Sequence, residues 1–190
     1  MVDSCSYHAR AIRHVRHLLT ESVAQTLACS LINSRLDYCN LPLYGASEAG
    51  ASEAIVDKLQ RAQNNAARAV LSANGRTDAK PLLRQLHWLP VRQRIFYKTA
   101  VLARRVNMTG VPACVKQHLV QRVPSRQTRS AASPLLFVPR LTTDFARLSF
   151  SYATPVIWNS LPTEVLLCNS EYSFKRHLMT FLFNSCHQTV

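Results

Sequence analysis

A chain of 190 residues with 47% hydrophobic side chains can bury a substantial core, which excludes a disordered tail. Its formal charge of +13 rests on 23 basic residues, eighteen of them arginine, and favours anionic partners. No apolar leader opens the sequence and no apolar run nears the roughly 20 residues of a membrane span, so an intracellular protein is expected, in nucleus or cytoplasm.

From Ser6 to Leu19, Ile12, Val15, Leu18 and Leu19 share one face and Arg10, Arg13 and Arg16 lie elsewhere, which predicts a basic amphipathic helix. Thr20 is placed to cap a second helix whose stripe, Val23, Leu27 and Leu31, reaches to Leu36 and Tyr38 before Pro42 and Gly45 close it. Residues 45–49 and 50–54 both read GASEA, a tandem copy that lengthens a loop. Its G-x-x-x-x-G spacing lacks the lysine and the preceding strand of a phosphate-binding loop.

The clearest helix is Ser52–Gly75. Ile55, Leu59, Ala62, Ala66, Ala69 and Val70 form its apolar stripe, with Asp57, Arg61, Asn64 and Arg68 opposite. Ser52 is the expected cap, Gly75 the expected left-handed stop, and Asp57 and Arg61 an expected ion pair across one turn. The alanines leave room for a close neighbour.

Thr77 or Asp78 can cap a short helix with Pro81 in its first turn and Leu82, Leu83 and Leu86 facing inward. After Pro90, a second strong helix runs from Val91 to Asn107 on the stripe Val91, Ile95, Leu102 and Val106, with Arg94, Lys98 and Arg105 along its flank. Gly110 and Pro112 precede a helix through Leu119. Residues 123–133 are polar, basic and aperiodic, as in an exposed loop. Leu135–Val138 can form a short strand ended by Pro139. Phe150, Ala153, Ile157 and Trp158 suggest a helix interrupted at Pro155, and Asn169 or Ser170 caps a last one bearing Phe174, Leu178, Phe181 and Leu182. The expected fold is mainly α, a thumb-like helical bundle with at most a small β element near 135–150. Its expected segments are 1–75, a basic 76–122, and a C-terminal 123–190.

The charge is uneven. Residues 1–75 carry seven basic and six acidic side chains, residues 148–190 two of each, and residues 76–147 fourteen Lys/Arg against Asp78 and Asp144. That middle third should attract RNA or DNA through phosphates, since arginine's planar fork suits phosphate better than an ammonium does. The plain alternative is a solvated basic surface. Candidate nucleic-acid contacts are Arg84, Arg92, Arg94, Lys98, Arg104, Arg105, Arg126 and Arg129. Trp88 either stacks on a base or, flanked by Leu86 and Leu89, joins the core.

Catalysis finds no support in the pattern. Polymerase or nuclease chemistry needs clustered carboxylates for divalent ions, whereas Asp3, Asp37, Asp57, Asp78 and Asp144 are dispersed. No G-x-S-x-G occurs, and no Cys/His pairing is locally suggested. The six cysteines lack C-x-x-C spacing and should be reduced and mostly buried. His14 and His17 have no second ligand pair at zinc spacing, so neither a metal nor a cofactor is expected.

Several words of the chain, in order, resemble the region after the polymerase palm in reverse transcriptases of non-LTR retrotransposons, nearest the chicken-repeat-type long interspersed elements. They are SRLDYCN (34–40), LYG (43–45), LQRAQNNAAR (59–68), LHWLPVRQRI (86–95), FSYATPVIWNSLP (150–162) and SFKRHLMTFLF (173–183). The resemblance covers about Tyr7 to Phe183, and the GASEA copy accounts for an LYG-to-LQ spacing about five residues longer than usual. It implies a thumb-like and C-terminal region that contacts template RNA and primer, without the palm and its paired aspartates. A non-catalytic fragment with residual RNA or DNA affinity is the expectation. A helical module offering apolar faces to a protein partner, or the unselected product of a decayed element, are the alternatives.

Overall fold

The computed structural model describes residues 2–37, 53–122, 134–147 and 149–187, and over these the chain is mainly α. Among the described residues the only β pairing is one antiparallel bridge, Gln121 with Leu136.

Helix α1 (Val2–Val15) begins about one turn before the predicted start. It buries Cys5, Ala9 and Ile12, whereas the predicted Val15 and Leu18 are exposed. The cause is a change of winding, because Arg16–Leu18 form a single 3-10 turn that points Leu18 outward. Thr20 caps α2 (Glu21–Ala28), its Oγ1 accepting from the Val23 N–H. The helix continues through one wide π-type turn, Cys29–Asn33, into α3 (Ser34–Leu36). Its inner face is Ala24, Ala28, Ile32 and Leu36, one residue round from the predicted stripe. Val23 is exposed, and Leu27 and Leu31 are half-buried. Small side chains take the seam because the neighbouring helix is itself alanine-lined.

That neighbour is α4 (Glu53–Val70), which buries Val56, Leu59, Ala62, Gln63, Ala66, Ala67, Ala69 and Val70. The predicted Ile55 is exposed and Val56 occupies its place. Alpha1 packs along α4, and α2 lies against it. The expected Ser52 cap, and all of the GASEA repeat before Glu53, fall outside the described residues. Gly75 is not the stop. The left-handed residue is Ser72 (φ 53°), with Ala73 N–H donating to the Arg68 carbonyl at 2.9 Å and Ser72 N–H to that of Ala69 at 3.4 Å.

Asp78 caps α5 (Ala79–Gln85), its Oδ1 accepting from the Lys80 N–H. This helix ends as α4 does, on a left-handed non-glycine residue, His87 (φ 53°). Alpha6 (Val91–Thr109) follows Pro90 and stops at the left-handed Gly110 (φ 72°). Val91 and Ile95 complete a first core with α1, α2, α4 and α5. Ala100, Ala103 and Val106 instead join a second core with α9 (Phe150–Asn159), α10 (Thr163–Leu166) and α11 (Glu171–His187). Helix α6 is thus the spine common to both. Two short helices, α7 (Ala113–Lys116) and α8 (Asp144–Arg147), lie between α6 and α9 in the chain.

Pro155 does not interrupt α9, as expected from sequence, but sits buried within it. It costs one internal hydrogen bond, which packing of Ile157 and Trp158 into the second core offsets. Trp158 Nε1 donates to the Pro134 carbonyl at 2.7 Å, and Asn159 pairs with both backbone groups of Leu136. Ser170 caps α11, accepting from the Ser173 N–H at 3.0 Å.

Candidate nucleic-acid interface

The predicted nucleic-acid contacts have separate fates. Arg126 and Arg129 lie outside the described residues. Trp88 is 4% exposed within the first core and offers no face to a base, the flanking leucines having drawn it inward. Arg104, 7% exposed, is likewise turned inward. Its Nη1 donates to the Leu166 carbonyl at 3.2 Å, its Nη2 to that of Cys168, and its guanidinium lies 5.4 Å from the Phe174 ring centre. It satisfies carbonyls where α10 ends.

Arg94 and Lys98 turn toward Asp37. Arg94 binds both carboxylate oxygens, Nε at 3.0 Å and Nη2 at 2.8 Å, and Lys98 Nζ lies 3.4 Å from Oδ2. Arg92 pairs with Glu53 on the surface. Arg84 and Arg105 are exposed but apart. Arg84 adjoins His187, whereas Arg105 is near enough to Glu171 to help hold its carboxyl below the ordinary value, behind the larger effect of Lys175. The row expected along α6, Arg94, Lys98 and Arg105, is therefore divided, two of its members paired with Asp37 and the third exposed near Glu171.

A different set of cations gathers where the sequence is nearly neutral. Alpha1 and α4 run side by side, and two adjoining recesses open along their seam. One, of about 350 Å³, is lined by Arg13, Arg16, His17 and the Ser72–Gly75 turn. The other, of about 270 Å³, is lined by Ser6, Ala9, Arg10, Arg13 and Asn65. Arg13 borders both, and among the described residues no carboxylate lines either. Arg16 is fixed, with Nε donating to the Val70 carbonyl and Nη1 to that of Leu19, both at 2.6 Å. Arg10 has a single weak bond to the Ser6 carbonyl at 3.4 Å, and Arg13 has no hydrogen-bond or ion-pair partner among the described residues. Arg61, one turn before Asn65 on α4, is exposed and does not pair with Asp57, contrary to the expected i,i+4 bridge. The three-residue spacing of Arg10, Arg13 and Arg16 was the sequence signal for this row, masked there by segment-wide charge balance.

Elsewhere, a cleft of about 520 Å³ is walled by α4, α5 and the C-terminal end of α11 and holds Asp57, Asp78, Lys80, Arg92 and His187. Burial, then Arg84 and Lys80, push the His187 imidazole below its ordinary value. Among the described residues no three His, Cys, Asp or Glu side chains assemble to hold a metal. The described cysteines are free but not mostly buried. Only Cys5 is buried, whereas Cys29 and Cys114 are exposed and Cys168 and Cys186 intermediate; Cys39 lies outside the described residues. A Cys/His contact that sequence spacing did not suggest joins Cys168 Sγ and His177 Nδ1 at 3.3 Å. The same Nδ1 lies 2.9 Å from the Ser173 carbonyl, so it carries the proton and has no lone pair with which to accept the thiol's.

Among the described residues, no helix is long and apolar enough to cross a membrane. No protein-family model matches the chain, and no curated protein or solved structure matches it.

Proposed function

We propose that this chain corresponds to the thumb and post-palm region of a non-LTR retrotransposon reverse transcriptase, and that it holds RNA or DNA by phosphates without joining nucleotides. The observation that carries this reading is a contact between two of the sequence words on which the resemblance rests. Gln60 and Gln63 of LQRAQ reach the backbone of LHWLPV, Gln63 Nε2 donating to the Leu89 carbonyl at 2.9 Å and Gln60 Oε1 accepting from the Val91 N–H at 2.8 Å. That the two words meet in one joint is what a local fold shared with that family would require. The uncompensated charge of +13 supports the affinity, and exposed arginines supply the phosphate contacts.

Fluorescence anisotropy with a labelled mixed-sequence RNA, titrated from low to physiological salt, tests the binding. Affinity should fall linearly on a log–log plot with a slope of about −2 to −4, as expected for three to five phosphates on a single strand. A flat salt response overturns phosphate binding. A primed-template extension assay with magnesium should yield no product; synthesis would overturn the non-catalytic half.

A further inference from the structure

We infer that the furrow between α1 and α4, floored by Arg10, Arg13 and Arg16, is the seat of the phosphate backbone. The inference rests on the nucleic-acid reading above and names where contact occurs, which is outside the basic middle third of the chain. Three features single this furrow out. Among the described residues its cations are uncompensated, since none of those lining either recess is a carboxylate and Arg13 has no partner. Arg94 and Lys98 are already committed to Asp37, and Arg104 is buried, whereas Arg16 keeps part of its surface open.

The second feature is order. Arg16 is held by two backbone carbonyls, so one guanidinium is positioned before any ligand arrives and less freedom is lost on binding. The third is reach. Arg10 to Arg16 spans about 9 Å of helix axis, room for two or three successive phosphates of one strand. Asn65, Asn74 and His17 add polar edges, and among the described residues no Phe, Tyr or Trp lines the recesses. Such a furrow grips the sugar–phosphate chain and leaves the bases unread, so binding is indifferent to sequence.

The test compares two charge reversals of equal size in the full chain. Arg10→Glu/Arg13→Glu lies in the furrow, and Arg140→Glu/Arg176→Glu changes exposed arginines far from it in sequence. Binding of a labelled 12-nucleotide RNA is followed by anisotropy across salt concentrations. The furrow variant should bind at least about tenfold more weakly at 0.1 M salt and lose about 1.4 from the salt slope, the share of two single-strand contacts. The control variant should change by less than about threefold. A milder substitution, Arg13→Gln, should weaken binding by about threefold, with circular dichroism unchanged because the side chain is exposed.

RNA binding that is strong in the unaltered chain but equally reduced, or unaffected, in the two double variants overturns the furrow and leaves the general reading standing. Absence of RNA binding by the unaltered chain at low salt overturns both.

Discussion

Gln63 is fully buried in the middle of α4, and its Nε2 donates at 2.9 Å to the carbonyl of Leu89, whose side chain belongs to the other core. One turn earlier, Gln60 Nε2 donates to Gln63 Oε1 at 3.0 Å while its Oε1 caps α6 at Val91, a role Pro90 has no side-chain group to fill. Gln63→Leu should cost about 1–3 kcal/mol by orphaning the Leu89 carbonyl. Gln60→Ala should cost about 1 kcal/mol through the lost cap. In urea denaturation the double variant should lose less than the sum, since the two amides share a bond. Strict additivity would mean that they act separately.

This joint shows what the sequence made legible and what it hid. Both glutamines sit on a strongly periodic helix, so the helix was evident. That Gln63 faces inward was not, because a periodicity argument assigns polar side chains to water and cannot see a distant carbonyl in need of a donor. Chain stops misled for a related reason. Gly75 drew the assignment of the left-handed residue, yet α4 ends at Val70 and Ser72 takes φ 53°. Ser72→Gly should therefore stabilise the protein by about 0.5–1 kcal/mol, the left-handed strain exceeding glycine's entropic cost. Gly75→Ala should be neutral or slightly stabilising, since an added Cβ there meets nothing within 4 Å. Reversed signs in thermal melts would return the stop to Gly75.

Asp37 collects two cations from α6, and its side chain is only 18% exposed. Local charge counting assigned Arg94 and Lys98 to a ligand because their carboxylate is 57 residues away in sequence for Arg94. Asp37→Asn should cost about 1–2 kcal/mol of stability through the weakened charge-assisted bonds. It should also tighten RNA binding by about two- to fivefold, because two cations are released. Arg94→Glu should act first on folding, setting one carboxylate against another. If Arg94→Glu lowers RNA affinity with an unchanged urea midpoint, the ion pair is not what holds Arg94.

Arg104 illustrates the same limit from the core side. Its sequence neighbourhood is basic, but its fork satisfies the Leu166 and Cys168 carbonyls and lies over Phe174. Lysine supplies the charge without the fork, so Arg104→Lys should cost about 1–3 kcal/mol in urea denaturation. RNA affinity per folded molecule should not change. A stable Arg104→Lys variant with weakened RNA binding would put this guanidinium at the surface.

The C-terminal end of α11 supplies a pH dependence. His187 packs its ring on Phe183, centroids 4.5 Å apart, and its Nε2 is buried without a hydrogen-bond partner among the described residues. Burial first, then Arg84 and Lys80, hold its imidazole below the ordinary 6.5. The unfolded chain therefore takes up this proton more readily than the folded one. The resulting stability is complete above 6.5 and is lost as pH falls through the lowered folded value. His187→Phe keeps a ring on Phe183 and removes both the titration and the unpaired nitrogen, so it should be neutral or stabilising at pH 7.5. Between about pH 7.5 and about pH 5 it should lose less stability than the unaltered chain. Parallel pH profiles for the two would mean that the ring titrates alike in both states and that the end of α11 is open to solvent.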